Sequence, residues 1–178
     1  MVKRAIILSC LIAFLTAPVA LSQRALTGFG GLEWSDSTSK FKQMEPSTKV
    51  LEFRKDFQSA IGSEKNAKIG IDSAREPRYH FYKDRYYQFS ITFGDERDFT
   101  ILEDALTSKY GPPKSEIPLF LRGKPNERTG VKLNWEVETK VSITLRWSQI
   151  NQGELIYGYI PILEEIAKDQ KGSIKDNL

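Results

Sequence analysis

Residues 78–94 have the sequence RYHFYKDRYYQFSITFG, in which large apolar side chains fall at every second position. Those positions are Tyr79, Phe81, Tyr87, Phe89, Ile91 and Phe93. Alternation over such a length is typical of strands that bury one face. This stretch therefore predicts a β-hairpin whose odd-numbered side chains lie in the core.

The loop between the two strands determines which side chains share a face. A two-residue loop at 84–85 would place Phe81 opposite Gln88 and mix the two faces. A three-residue loop at 83–85 keeps the apolar residues together, and it makes the following pairs: Phe81 with Tyr87, and Tyr79 with Phe89. Because a slip of one residue moves every side chain to the other face, we predict the three-residue loop.

The first 22 residues have the three parts of a secretory signal peptide. In chain order these are a basic start at Lys3 and Arg4, an apolar run over 5–15, and small residues at Ala20 and Ser22. We predict cleavage before Gln23, and export. The alternative is an uncleaved membrane anchor, but the apolar run is only about half of the ~20 residues that a spanning helix needs. No stable membrane span is therefore expected after cleavage.

The predicted mature chain, residues 23–178, is nearly neutral. The full chain has 26 basic and 23 acidic side chains, and the signal peptide contains two of the basic ones and no acid. The remainder does not indicate a strongly basic face, so nucleic acid is not expected as a partner. The only cysteine, Cys10, lies in the signal peptide. The mature chain therefore has no disulfide and must rely on its hydrophobic core.

A helix is predicted over 98–110. Asp98 is a suitable N-cap, Gly111 suits the left-handed position after the last turn, and the two prolines that follow prevent continuation. The apolar face of this helix contains Phe99, Leu102, Leu106 and Tyr110. The signals at both ends and the spacing of the apolar residues predict the same helix. Because one of its faces is apolar, we expect it to pack on one face of the sheet.

Shorter helices are expected on either side of the strand-forming segments. Ser35 or Asp36 caps a short helix that ends at Pro46. Its inward-facing residues are Phe41 and Met44. A closing helix is predicted over 162–169, and a frayed polar tail follows over 172–178.

A second hairpin repeats the alternating pattern. Its apolar positions are Val131, Leu133, Trp135, Val137, Val141, Ile143, Leu145 and Trp147. A loop at 138–140 pairs Val137 with Val141, and a further strand follows over 155–159. Residues 114–130 are expected to be mostly loop. The exception is a brief edge strand at Ile117, Leu119 and Leu121.

The segments before the first hairpin are less regular. Residues 50–61 fit helical spacing and strand alternation about equally, so both remain open. Ile69 and Ile71 begin a short alternating strand. Consecutive hairpins with one long helix predict an α+β fold: a single domain over 23–178, in which a meandering antiparallel sheet packs against helix 98–110 and short flanking helices.

Several segments resemble small, uncharacterised exported proteins of Gram-negative bacteria. They are Trp34 with the short helix after it, FYKDRYYQFSITF at 81–93, LEDALTSKYGPP at 102–113, VSITLRW at 141–147 and GELIYGYIPI at 153–162. The resemblance implies a setting in the bacterial cell envelope, with the periplasm as the expected location. It implies no activity.

Residue types that carry out catalysis are sparse in the mature chain. His80 is the only histidine, and without a cysteine a zinc site would need several carboxylates. There is no G-x-S-x-G elbow, and the adjacent acids at 103–104 and 164–165 would diverge on a helix and not flank one bond. We therefore predict no catalytic residue, no metal site and no cofactor.

The even-numbered, polar face of the first hairpin is the predicted contact surface. Its candidate binding residues are Arg78, His80, Tyr82 and Tyr86, together with Arg85 from the adjoining loop. They combine the aromatic and basic side chains that binding surfaces favour. The alternative is a solvated strand face in which the tyrosines only stabilise the hairpin.

Three functions are compatible with these patterns. The leading hypothesis is a non-enzymatic binding or envelope-accessory module, with an envelope protein as its expected partner. One alternative is a hydrolase of envelope polymers that uses dispersed carboxylates, which would require a cleft with two carboxylates and a raised pKa. The other is an inhibitor or immunity-type protein that presents exposed aromatic residues.

Overall fold

The computed structural model describes residues 27–64, 69–150 and 152–175. The predicted signal peptide at 1–22, with Cys10, and the last residues of the predicted polar tail, 176–178, lie outside the described residues. The strands are β1 Gly28–Phe29, β2 Leu32–Glu33, β3 Leu51–Arg54, β4 Phe57–Ile61, β5 Arg75–Tyr82, β6 Arg85–Phe93, β7 Ser115–Leu121, β8 Lys124–Val137, β9 Val141–Ser148 and β10 Gly153–Tyr159. The helices are α1 Thr38–Met44, α2 Glu96–Tyr110 and α3 Ile160–Lys175.

Eight strands form one large sheet in the order β3-β4-β5-β6-β10-β9-β8-β7. Every pair in it is antiparallel. The sheet therefore consists of two four-stranded meanders, β3 to β6 and β7 to β10, which meet where β6 pairs with β10. The predicted α+β class with a large antiparallel sheet is confirmed.

The first hairpin turns at two residues, so the predicted three-residue loop is wrong. Tyr82 pairs with Arg85, and the residues between them, Lys83 and Asp84, both have positive φ, 48° and 58°. Positive φ at both central positions is the signature of the type I′ turn, whose twist matches that of the flanking strands. The Asp84 carboxylate also accepts hydrogen bonds from the backbone N–H and the hydroxyl of Thr38, at 2.9 and 2.6 Å, which holds the turn against α1.

A β-bulge two residues after the turn restores the predicted pairing farther along the hairpin. Phe81 pairs with Tyr86, whereas Tyr79 pairs with Phe89 as predicted. The extra residue is Tyr87, and the register shifts at this point. A bulge adds one residue to one strand only. As a result Tyr86 enters the main core and Tyr87 lies in a separate cluster.

One face of the large sheet carries the main core. Its central row of paired residues is Ala60, Tyr79, Phe89, Tyr157, Ile143 and Trp135. Phe41 of α1 and Leu32 of β2 belong to the same buried cluster, as does Leu102 of α2. Both helices and the small β1–β2 sheet therefore cover this face.

The other face is mostly polar. Its central row of paired residues is Ile61, Arg78, Ser90, Ile156, Thr144, Asn134 and Ser115. The C-terminal helix α3 contacts β6 and β10. Ile162 of α3 joins Tyr82 and Tyr87 in the separate buried cluster. Helical cover on this face is therefore centred on the turn end of the first hairpin.

The predicted C-terminal end of the long helix is confirmed, and its predicted N-terminal end is wrong. α2 starts at Glu96, with Asp95 as N-cap, and the Asp95 side chain accepts a hydrogen bond from the backbone N–H of Arg97 at 2.8 Å. Asp98 lies in the first turn, where its buried carboxylate accepts a hydrogen bond from Ser73. Asp95 precedes the first helical residue and is also a favoured capping type, so the earlier start is locally satisfied. Gly111 ends the helix at φ 82°, as predicted.

Other boundaries also differ from the predictions. The undecided segment 50–61 forms the β3–β4 hairpin, and 114–130 is mostly strand, with β7 at the predicted edge position. Ile69 and Ile71 lie outside strands but pack against the core. The closing helix is longer than 162–169 and runs through most of the predicted tail. The short helix α1 has Ser37 as its N-cap rather than Ser35 or Asp36.

The second hairpin matches its prediction. Val137 pairs with Val141 and Trp135 with Ile143, on either side of the loop at 138–140.

Among the helices of the described residues, none is long and apolar enough to cross a membrane.

Burial predicts that replacing two different phenylalanines lowers the free energy of unfolding by very different amounts. Phe81 is fully buried, whereas Phe120, on the edge strand β7, is 48 % exposed. We expect Phe81→Ala to lower the free energy of unfolding by about 3–5 kcal/mol because it leaves a cavity. The matched Phe120→Ala should change it by less than ~1 kcal/mol. Urea unfolding at neutral pH measures both, and similar losses in the two variants would contradict this core.

Candidate functional site

Tyr86 is buried in the main core, so its predicted exposure is wrong. Its ring stacks on Trp34, with centroids 5.0 Å apart and an interplanar angle of 17°. Its hydroxyl donates a hydrogen bond to the Phe29 carbonyl at 3.1 Å. Burial raises the pKa of this phenol well above its usual value. The bulge explains the error, because without it Tyr87 rather than Tyr86 would face the core.

Tyr82 is also buried, on the opposite face of the sheet and beneath α3. It is 3 % exposed, and its ring lies 4.8 Å from that of Phe57. Its hydroxyl donates a hydrogen bond to Asp169 of α3 at 2.5 Å. Tyr82 and Tyr86 therefore do not form the exposed pair that the sequence predicted.

Arg85 is engaged by the same helix. Its guanidinium donates to both carboxylate oxygens of Glu165 at 2.7 Å, and the neighbouring Lys83 pairs with Asp169 at 2.7 Å. These hydrogen bonds hold the pKa of both carboxyl groups below their usual values. Lys83, Arg85, Glu165 and Asp169 form what we call the helix clamp, which fastens α3 to the hairpin.

The other two predicted site residues, Arg78 and His80, lie beyond this clamp on the polar face. The Arg78 side chain is exposed and pairs with Glu76 at 2.7 Å. His80 is half-buried, with its ring centroid 6.3 Å from that of Tyr87. Burial and, to a smaller extent, the Arg78 charge together lower the pKa of His80 to about 4. The imidazole is therefore neutral at neutral pH.

A groove at the β3 edge of the sheet adjoins these two residues. We call it the edge groove; it has a volume of about 460 Å³ and is lined by Thr48, Lys49, Leu51, Ser59, Ala60, Ile61 and Arg78. Ser59 pairs with His80, and Ile61 pairs with Arg78, so the groove borders the predicted contact surface. Leu51 and Ile61 are 62 % and 52 % exposed.

The edge groove combines two kinds of chemistry. Leu51 and Ile61 offer exposed apolar contact area, while Lys49 and Arg78 offer positive charge. Its lining residues contain no carboxylate, but the Glu76 carboxylate beside it pairs with Arg78 at 2.7 Å and offsets part of that charge, so Lys49 is the cation without this neighbour. Exposed apolar residues rimmed by polar groups are typical of interaction sites. This arrangement favours a segment that carries both apolar and acidic side chains.

The sequence does not indicate this groove, because segment 50–61 fits helical spacing and strand alternation about equally. The available signal was the pair Lys55-Asp56 between two short apolar alternations, which is a turn between strands. Asp56 has a φ of 67°, which is consistent with a tight hairpin there. With that hairpin recognised, Leu51 and Ile61 would have been placed beside Arg78.

The acidic side chains elsewhere give a weaker indication of a functional site. Burial raises the pKa of Glu103 on α2, and the charges of Asp104 and Glu116 raise it further. Asp104 and Glu116 are exposed and Glu103 is half-buried. Across residues 27–64, 69–150 and 152–175, no group of three or more histidine, cysteine, aspartate or glutamate side chains is placed to hold a metal ion.

Comparison of this chain with protein-family models, curated proteins and solved structures found no match.

Titration of the single histidine tests how deeply the polar face buries this side chain. We expect the His80 resonances in an NMR titration to report a pKa near 4 rather than near 6.5, because burial disfavours the charged imidazole. The unfolded chain then binds a proton more readily than the folded one does, so His80 contributes a loss of stability as the pH falls from about 6.5 to about 4.

The matched variant His80→Gln should lose less stability over that interval, as measured by urea unfolding at several pH values. Carboxylates titrate in the same interval, so the difference between the two proteins is the relevant quantity. A pKa near 6.5, or identical pH dependence in both proteins, would contradict the described burial of His80.

Proposed function

We propose that this chain is an exported, periplasmic binding module that acts without catalysis and engages an envelope protein through the edge groove. The observation that carries the proposal is the groove itself, in which exposed Leu51 and Ile61 lie beside Lys49 and Arg78. Export is supported by the three-part sequence at 1–22 and by the resemblance to exported proteins of Gram-negative bacteria.

The chemistry of the groove defines the partner. Leu51, Ile61 and Arg78 lie on the same, polar face of the sheet. An extended segment that presents both apolar and acidic side chains on that one face would contact Leu51 and Ile61 together with the cations of the groove. β3 is an edge strand, so its outer backbone groups are open to an added strand. The partner we expect is therefore an envelope protein with an exposed, apolar and acidic extended segment.

Export with cleavage before Gln23 predicts the mass of the mature protein. In a Gram-negative host, the wild-type protein should be recovered from the periplasmic fraction with Gln23 as its first residue, as measured by intact mass spectrometry. Ser22→Phe should block cleavage, because the peptidase requires small residues before the cut. The uncleaved form should then stay with the membrane fraction. A wild-type protein that keeps residues 1–22 would contradict a cleaved signal and indicate an anchor.

The binding proposal is tested by capture from envelope extract with two matched variants. Ile61→Ser/Arg78→Glu alters the groove. Ile117→Ser/Arg128→Glu alters an isoleucine and an arginine at the opposite edge of the sheet, where Arg128 likewise pairs with a glutamate. We expect the groove variant to recover a partner at least about tenfold less than wild type, since a hot-spot residue contributes more than ~1–2 kcal/mol.

The opposite-edge variant should recover that partner as wild type does. Thermal unfolding of all three proteins serves as the folding control. Equal recovery by both variants, or no specifically recovered protein, would contradict binding at the edge groove.

A further inference from the structure

A cleft lies between the β3–β4 turn and the C-terminal half of α3, on the face of the sheet that α3 covers. We call it the turn cleft, and it has a volume of about 530 Å³. The turn end of the β3–β4 hairpin contributes Arg54, Lys55 and Asp56, and α3 contributes Lys168 and Asp169. None of the residues that line the turn cleft lines the edge groove, so the two sites are separate.

Both walls of the turn cleft are fixed to the first hairpin. The backbone N–H of Lys83 donates a hydrogen bond to the Asp56 carbonyl at 2.8 Å, which holds the β3–β4 turn. The Tyr82 hydroxyl donates to Asp169 at 2.5 Å, which holds α3. The cleft is therefore preformed, and a ligand does not have to order it first.

Positive charge is in excess in the turn cleft because the helix clamp engages one of its carboxylates. Asp169 pairs with Lys83 at 2.7 Å, so these two charges offset each other. The charged residues that remain in the lining are three cations and one carboxylate: Arg54, Lys55, Lys168 and Asp56. Within the described part of the chain, none of these three cations forms an ion pair. The cleft is therefore suited to an anion.

An exposed aromatic ring lies at the same end of the β3–β4 hairpin. Phe53 is 61 % exposed, and its ring centroid lies 6.1 Å from that of Phe57, which lines the cleft. The Arg54 guanidinium lies 5.4 Å from the Phe57 centroid. Exposed aromatic side chains beside lysine and arginine are typical of surfaces that lie on anionic membranes, where the rings enter the headgroup boundary and the cations contact the headgroups.

We propose that the turn cleft binds the phosphate headgroup of an anionic phospholipid at a membrane surface, with Phe53 in contact with the apolar boundary below the headgroups. The excess cations complement the headgroup charge, because each lysine or arginine near an anionic surface contributes to binding. A free phosphate ion would use the cations alone and leave Phe53 in water. The position of Phe53 beside the cleft therefore favours the lipid.

Contact with the membrane uses side chains at the turn end of β3 and leaves its backbone edge to the partner of the edge groove. Leu51 and Ile61 lie at the other end of this hairpin. Few cations and one ring take part, so binding to the membrane should be weak, reversible and sensitive to salt.

Co-sedimentation with vesicles tests the proposal on the mature chain, residues 23–178, which contains every described residue. We expect binding to vesicles made of equal parts of phosphatidylglycerol and phosphatidylcholine, and release as the salt concentration rises. Vesicles of phosphatidylcholine alone should not retain the protein. Equal binding to both kinds of vesicle would contradict recognition of the anionic headgroup.

Matched variants test the cations. Arg54→Gln/Lys168→Gln should bind the mixed vesicles at least about tenfold more weakly than wild type. Arg122→Gln/Lys124→Gln removes the same charge at the turn between β7 and β8, at the opposite edge of the sheet, and should bind as wild type does. Thermal unfolding of each protein serves as the folding control. Equal losses in both variants would indicate a general effect of net charge and overturn the site.

Phe53→Ser distinguishes a lipid from a free phosphate. This variant should bind the mixed vesicles at least about fivefold more weakly than wild type, because the ring no longer enters the headgroup boundary. Phe120→Ser, at the opposite edge, should bind as wild type does. Undiminished binding by Phe53→Ser, or displacement of wild type from vesicles by soluble glycerol phosphate at a concentration equal to that of the lipid, would indicate a phosphate site without a role for the membrane and overturn the lipid.

The residues of the edge groove are unchanged in every variant, so partner capture is assessed separately. Wild type that does not bind the mixed vesicles would overturn the lipid site and leave the proposed function standing. Binding to vesicles together with failed partner capture would support the lipid site and overturn the proposed function alone.

Discussion

One extra residue in β6 determines which side chains of the first hairpin enter the main core and which pack on the opposite face. The bulge at Tyr87 allows a tight two-residue turn and still returns Tyr79 and Phe89 to the same face. It also separates adjacent tyrosines, because Tyr86 enters the main core while Tyr87 packs under α3. A side-chain period of two makes this sorting sensitive to a single insertion. The aromatic content of the hairpin is consequently divided between two buried clusters.

The separation has a consequence for where partners can bind. On the polar face, the turn end of the hairpin is occupied by α3, and the clamp between Arg85 and Glu165 uses the basic side chains there. Partly exposed ion pairs of this type contribute little stability individually, so burial of Ile162 with Tyr82 is the larger contribution to docking of this helix. What remains accessible lies toward β3, around Arg78. The contact surface that we propose therefore lies at the sheet edge and not at the hairpin turn.

Strong, repeated patterns in the sequence were sufficient for most of the sheet. The alternation around Trp135 and Ile143 gave the correct pairs, and Gly111 marked the end of α2, because each depends on local chemistry. The face of Tyr86 depends on a bulge, and the burial of Tyr82, which does lie on its predicted face, depends on a helix about eighty residues away; neither has a local signal. The candidate site has a local signal, Lys55-Asp56 between two short apolar alternations, but the same segment 50–61 fits helical spacing about equally, so the sequence alone does not decide for the hairpin.

The position of β10 has implications for how the chain acquires its structure. β10 is the last strand in sequence but lies in the middle of the sheet, where Leu155 pairs with both Ile91 and Leu145. A chain that emerges with its N-terminus first holds two half-sheets with open inner edges until this strand arrives. Such long-range pairing is slow and leaves apolar surface unprotected in the meantime. Loss of the C-terminal segment by truncation or early cleavage would therefore release an aggregation-prone intermediate rather than a smaller stable protein.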